Sequence, residues 1–477
     1  MENENVKSLE NCPKLKLNFK RTAIIGFAFF GILLLWQVYD SWCPLFLSNL
    51  FEEALHKEHN EVQYLVGIVM ALDNLAALIM LPIFGSLSDK THTKIGKRMP
   101  YILIGTFCCA IAFPFIPILF HYHNLIGTIA VMAIVVFFAM MYRNPAVALM
   151  PDITPKPLRS RANGIINIMG YLGGACATLV GMIFVLSKYL TGWENSSTSI
   201  WVIEAPFLIA SILMIISALV LFFFINENRI EKEVAPEMEL GERLAAVETS
   251  VEEDDKKPMS RVNKIMLLLI LGAEFLWFMA DNGIGTFMSI YVEKYLHSST
   301  GALSMCILVG GFGSVIGFAA GGFIASKIGR KWTICGGLSL TAIALMIWVI
   351  ISNVVKIDSN AAENSQKFPF YLYIIWLIKG FGMSLVHINS FPMVVELCSN
   401  KKVGKFTGYY YASSMAAQTI TPCLIGLLML NSNFGFAQLP TYGLCCIVGS
   451  LIIFLFVKNI KNKAIVKKGL EAFDVDD

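Results

Sequence analysis

Apolar stretches of about twenty residues or more alternate with short polar turns along almost the whole chain. A bilayer core about 30 Å thick is spanned by roughly 20 helical residues rising 1.5 Å each, so every such stretch predicts a membrane helix. Twelve are expected, over 22–50, 62–87, 100–120, 125–151, 162–187, 200–225, 263–292, 302–326, 332–352, 369–397, 405–430 and 438–458. The runs are too long for strands and lack their alternation, so the expected class is an all-α integral membrane protein. One connection breaks the rhythm. Residues 226–262 are charged and mostly acidic (Glu231, Glu233, Glu237, Glu239, Glu252 to Asp255), which predicts a flexible or partly helical linker. The expected organisation is an N-terminal tail (1–21), a six-helix bundle (22–225), the linker (226–262), a second six-helix bundle (263–458) and a C-terminal tail (459–477).

Charge in the loops assigns the sides. Lys90, Lys94, Lys97 and Arg98 follow segment 2, and Lys156, Arg159 and Arg161 follow segment 4. Lys327, Arg330 and Lys331 follow segment 8, Lys401, Lys402 and Lys405 follow segment 10, and five lysines follow segment 12. The alternate loops are nearly free of Lys and Arg. Basic loops stay inside, so both termini and the linker are expected in the cytoplasm of a plasma-membrane protein.

Composition agrees: 56% of the 477 residues are hydrophobic and only 15% charged, against about 25% charged in soluble domains. The first twenty residues are polar and the first apolar run outlasts a signal-peptide core, so no cleavable leader is expected. The 11 cysteines form no CxxC pair and no cluster with histidine, which predicts small buried hydrophobes in reduced form and no metal site. Asn195-Ser196-Ser197 fits a glycosylation triplet on the outer side.

Polar residues inside the apolar runs repeat across the midpoint. Gly31-x4-Trp36-x3-Asp40 recurs as Gly272-x4-Trp277-x3-Asp281, and Asp152, Arg161 and Gly164 recur at one offset as Glu396, Lys405 and Gly408. A carboxylate at the centre of a membrane helix costs roughly 2.5–3.5 kcal/mol, so the repeat points to a working cavity between two similar halves. Asp40 with Trp36 and Gln37 on segment 1, Asp73 and Asn74 on segment 2, and Arg143 on segment 4 are candidates for binding substrate or proton. Glu274, Trp277 and Asp281 on segment 7 and His387 on segment 10 are their counterparts. Each has a structural alternative in an ion pair or helix-to-helix hydrogen bond. Arg143 can fix a carboxylate such as Asp40 or hold a substrate oxygen, and Lys379 must pair or face water. Gln418, Asn163 and Asn167 are further hydroxyl partners.

Two loops carry a second pattern. The first runs from Gly85 through Asp89, Lys90 and Gly96 to Lys97 and Arg98; the other places Gly322, Ser326, Gly329 and Arg330 correspondingly. Glycine permits a sharp reversal between helices. Asp89 can bond the next helix and pair with a base, which would hold the cytoplasmic side shut in one state, whereas Ser326 carries no acid. A basic loop serving topology alone explains the bases but not the repeated glycines.

These paired loops resemble the signature that major facilitator superfamily carriers place after helices 2 and 8. Pro82-Ile-Phe-Gly85 through Gly96-Lys97-Arg98-Met99-Pro100 resembles the glycoside–pentoside–hexuronide:cation symporter branch, and Arg143-Asn144-Pro145 through Pro151-Asp152 resembles the helix 4 motif of its sucrose-transporting members. The likeness covers about residues 20–458 and implies two pseudo-symmetric bundles and proton-coupled symport of a saccharide. It implies no cofactor beyond the coupling proton. The carboxylate pair by which melibiose-type members bind sodium is replaced here by Ala77 and Leu81, which disfavours sodium. The expected partners are a small sugar and the bilayer, with no nucleic acid and a monomeric state. A carrier of a lipid, drug or organic anion is the first alternative and a non-transporting sensor the second. No nucleotide-binding GxxxxGK[ST] loop and no catalytic arrangement is present, so neither an ATP-driven pump nor an enzyme is expected.

Overall fold

The computed structural model describes residues 16–155, 158–190, 199–250, 261–354, 365–395, 397, 403–430 and 435–458. Twelve helices among them are long and apolar enough to cross a membrane. In the first half these are α1 (Phe19–Leu55), α2 (His59–Lys90), α3 with α4 (Met99–Ala112, Phe115–His121), α5 (Leu125–Asp152), α6 with α7 (Arg159–Ile183, Leu186–Leu190) and α8 (Trp201–Phe224). The α3–α4 break falls at Pro114, which has no N–H for the ladder. After α9 (Glu227–Ser250) come α10 (Arg261–Ile290, prolonged by a π turn at Tyr291–Tyr295), α11 (Thr300–Ile328), α12 (Arg330–Val354), α13 (Phe370–Val395), α14 (Val403–Met429) and α15 (Leu439–Leu455).

Packing repeats with the sequence. Helix α1 packs on α6 and α8, and its counterpart α10 packs on α14 and α15; α5 packs on α2 and α3, as α13 does on α11 and α12. The halves meet through α2 on α14, α6 on α11 and α1 on α10. These meetings gather at the ends away from the basic loops, here the far face. A Cβ on Gly67 of α2 would collide with the Pro422 carbonyl of α14, so only glycine permits that approach. Thr300 N and Ser187 Oγ are 2.8 Å apart across α11 and α7, and Lys294 Nζ reaches Asn49 Oδ1 at 2.9 Å and Glu52 Oε2 at 3.5 Å. Toward the basic face the halves part around a cavity of about 700 Å³.

The linker takes the partly helical form of the two expected. Helix α9 occupies most of it, and Glu227, Ile230 and Val234 are buried against the first half. Residues 251–260 lie outside the described residues, as do the Asn195 triplet, Glu396 and the C-terminal tail.

Candidate functional site

A cavity of about 540 Å³ lies between the halves. Helix α1 contributes Leu33, Trp36, Gln37, Asp40 and Ser41, the i, i+3, i+4, i+7, i+8 positions of one helical stripe. Helix α2 adds Met70, Asp73, Asn74 and Ala77 by the same rule, and α5 adds Met140 and Arg143. The second half supplies Asp281, Asn282, Thr286 and Ser289 of α10, Trp376 and Lys379 of α13, and Gln418 of α14. The spacing of apolar and polar residues thus aims the expected group inward in the first half.

Within that wall Asp40 is open to the cavity although protein surrounds it, and the Arg143 guanidinium acts on it through its charge. Asp73 lies beside the Tyr39 hydroxyl, with its Oδ2 buried. Gln37 Nε2 donates to Ser41 Oγ at 3.1 Å, and Trp36 meets Tyr39 edge-on with ring centroids 5.6 Å apart. Asn74 Nδ2 donates across the interface to the Gln418 carbonyl at 3.3 Å. Arg143 also lines the larger cavity toward the basic face, so it stands where the two spaces join.

The second half departs from expectation. Asp281 lines the cavity and is bonded to Lys379. Trp277 and Glu274, however, are fully buried within their own bundle and line neither cavity. Trp277 turns toward Phe454 of α15 (centroids 6.5 Å), and both Glu274 carboxyl oxygens are buried near Tyr410 without a hydrogen-bond partner among the described residues. Their expected contact with substrate is corrected: a Trp four residues before the aspartate is repeated in sequence, but the cavity meets α10 from Asp281 to Ser289, and Trp277, one turn away, packs into its own bundle. His387 lines the larger cavity with Asn144 and Asn167, its ring 5.5 Å from that of Phe278, and not the central one. Trp376, Ser41, Thr286 and Ser289 were not anticipated, because an isolated Trp or hydroxyl in an apolar run carries no pattern. Lys294 was also missed, although it is one of few bases at the far face.

The loop motifs also differ. Arg98 of the first loop binds Asp89 and Ser88, sends Nε to Asp152 Oδ2 at 2.9 Å and Nη1 to the Gly85 carbonyl at 3.4 Å, while Lys97 reaches Asp152 at 3.1 Å. Glu227 of α9 accepts the backbone N–H groups of Arg98 and Met99 at 3.0–3.2 Å, satisfying the start of α3. Gly96 holds φ +116°, a conformation only glycine adopts freely. Burial, outweighing these N–H bonds, pushes the Glu227 carboxyl above its ordinary range. In the second loop Ser326 Oγ only returns to the Phe323 carbonyl of its own helix at 2.7 Å, Lys327 lies over Phe323, Gly329 has φ +85° and a Cβ on Gly322 would meet nothing. Asp89 pairs with Arg98, the residue that precedes α3, and that pair lies within one half. Lys90 is exposed and Arg330 half-exposed.

Comparison with known proteins settles the family. The model described as Major Facilitator Superfamily matches residues 25–361 and 270–473. The chain belongs to that family. It is a membrane transporter with the corresponding all-helical fold. It is 26% identical over 437 residues to a putative transporter, AmpG 1, of Rickettsia bellii, covering 90% of this chain and 98% of the relative. A sucrose transport protein, SUC3, of Arabidopsis thaliana is 27% identical over 179 residues, covering 32% and 29%. Among solved structures, a D-xylose–proton symporter matches with a TM-score of 0.63 at 14% identity, covering 94% of this chain and 100% of that one.

Proposed function

We propose that this transporter is a proton-coupled saccharide symporter of the glycoside–pentoside–hexuronide branch, working by alternating access, as a monomer in the plasma membrane with its basic loops and both termini in the cytoplasm. The observation that carries the reading is the central cavity, whose polar groups come from both halves. Its volume suits a mono- or disaccharide. Gln37, Ser41, Asn74, Asn282 and Gln418 offer hydroxyl partners, and Trp36 and Trp376 offer faces for the C–H side of a sugar ring. Asp40 and Asp73 share one wall with a single cation, Arg143, so a proton on either carboxylate balances the charge. The similarity to a sucrose transport protein supports the sugar. With the far face closed and a vestibule toward the basic face, the conformation is read as inward-facing, and rocking about the α2–α14 and α6–α11 contacts would expose the same cavity outward.

The test is uptake of a radiolabelled sugar panel by proteoliposomes under an imposed inward proton gradient. Accumulation above equilibrium that collapses with a protonophore supports the reading; accumulation driven by sodium alone replaces the proton.

A further inference from the structure

A small recess of about 20 Å³ opens off the central cavity, and Ser41, Ser289, Leu303 and Ile307 line both spaces. By volume it takes about one water-sized group. Its walls come from both halves: Ser41 and Trp42 of α1 and Gly181 of α6 face Ser289 of α10 and Ser304 of α11. Ser289 is 3% exposed, and its Oγ is buried without a hydrogen-bond partner among the described residues. Leaving a buried hydroxyl unpaired is costly, so the recess calls for a polar occupant. Ser304 Oγ donates to the Thr300 carbonyl at 3.3 Å and keeps its lone pairs for an incoming donor. Behind the recess lies the closed seam, where Thr300 N meets Ser187 Oγ of α7. Glycine keeps the space open. A Cβ on Gly181 would stand 2.9 Å from Ser304 Oγ and 4.0 Å from Trp42 Nε1.

We propose that this recess seats the exocyclic hydroxymethyl group of a hexose unit, and that Gly181 and Ser289 thereby select hexosides over pentosides. The inference rests on the saccharide reading and adds a specificity-determining subsite to it. A sugar ring is far too large for the recess, and a ring hydroxyl projects by a single atom and stays at the cavity wall. A hydroxymethyl group carries its oxygen one atom further and turns freely. Leu303 and Ile307, which belong to both spaces, meet its carbon. Ser289 Oγ donates to its oxygen, and Ser304 Oγ accepts from it. A pentose lacks the group and leaves the recess to water. A methyl group in its place expels that water and leaves Ser289 unpaired, so it gains little. Opening of the far face would part Trp42 and Gly181 from Ser289 and Ser304, so a seated hydroxymethyl group also favours the closed seam.

The experiment compares sugars that differ only in this group: glucose with xylose, galactose with L-arabinose, cellobiose with xylobiose, and glucose with 6-deoxyglucose. Binding to the purified full chain in lipid nanodiscs is read by tryptophan fluorescence, and transport in proteoliposomes. In the wild type each hexose should bind at least about tenfold more tightly than its pentose partner, and 6-deoxyglucose should fall near xylose. Gly181→Ala fills the recess, so it should weaken hexose binding until the ratio is about one, with pentose binding kept within about threefold. Ser289→Ala adds no bulk and should bring glucose and 6-deoxyglucose to within about threefold of each other. It decides the matter if Gly181→Ala disturbs the packing of α6 on α11. Equal or tighter binding of pentoses by the wild type overturns the proposal, as does an unchanged preference for glucose over 6-deoxyglucose in Ser289→Ala. An equal loss of both sugars in Gly181→Ala, with Ser289→Ala unaltered, makes Gly181 a packing residue and also overturns it. If pentoses and hexoses accumulate alike under a proton gradient, saccharide symport stands and the recess holds water only; if no sugar is bound, both readings fall.

Discussion

The two halves carry the same short motif and use it differently. In the first, Trp36 and Asp40 both face the cavity, with Asp73 and Arg143 beside them. In the second, Trp277 is packed against Phe454, Glu274 is sealed in the bundle, and Asp281 is held by Lys379. The loops diverge in the same sense: Arg98 gathers Asp89, Asp152 and Ser88 into one network, while Ser326 bonds back to its own helix. A repeat preserves the backbone path because helix packing demands it. Polar side chains are not held to symmetry, since each needs only a local partner or water. The first half therefore lines the cavity with two carboxylates and an arginine, and the second with a cation whose carboxylate is already engaged.

The largest effect that would test this contrast is on coupling. Asp40→Asn or Asp73→Asn should abolish accumulation driven by a pH gradient while leaving exchange partly intact, as counterflow in proteoliposomes would read. Normal accumulation by both variants would break the assignment of the proton to the first half.

Arg143 comes next. A guanidinium presents a planar fork that lysine lacks, so Arg143→Lys should reach the membrane but transport poorly, with Arg143→Ala worse. Combining Arg143→Ala with Asp40→Asn should recover folding better than Arg143→Ala alone, because the charge facing the guanidinium is also removed, yet should not restore coupled uptake. Wild-type transport by Arg143→Ala would assign the residue to the vestibule.

For the loops, Arg98→Ala should destabilise the protein by about 1.5–3 kcal/mol, since it removes a buried cation bonded to Asp152 and Ser88 while Lys97 still faces Asp152; a thermal melt in detergent measures it. Asp89 is 60% exposed, so Asp89→Asn should shift the access equilibrium only modestly, by about fivefold or less, with slower labelling of an external cysteine. Ser326→Ala should do less still. Equal effects would make the two loops equivalent anchors.

The smallest expected effect is at the linker. Burial raises the Glu227 carboxyl, so the folded protein binds this proton more tightly than the unfolded chain. Its contribution to stability is therefore greatest at low pH and declines as pH rises from the ordinary carboxylate value through the folded one. Glu227→Gln should flatten that decline in melts between pH 4.5 and 7.5; an unchanged slope would assign it to other groups.

Much was legible in the chain itself. The twelve spans followed from helix length against bilayer thickness, and the division into two halves from the repeat and the charged linker. The α1 and α2 stripes were legible as well, because residues three and four apart share a face whatever surrounds them. What only the tertiary structure decided was the extent of the cavity and partnership. Trp277 and Asp281 share a stripe of α10, but the cavity meets that helix from Asp281 to Ser289, and only the packing of α15 against Trp277 closes it one turn earlier. The pairing of Lys379 with Asp281 joins residues 98 positions apart, and the anchoring of Arg98 by Asp152 and Glu227 joins three separate segments. A sequence states which charges must be paired in the membrane, because an unpaired one is costly there; only packing states with which partner.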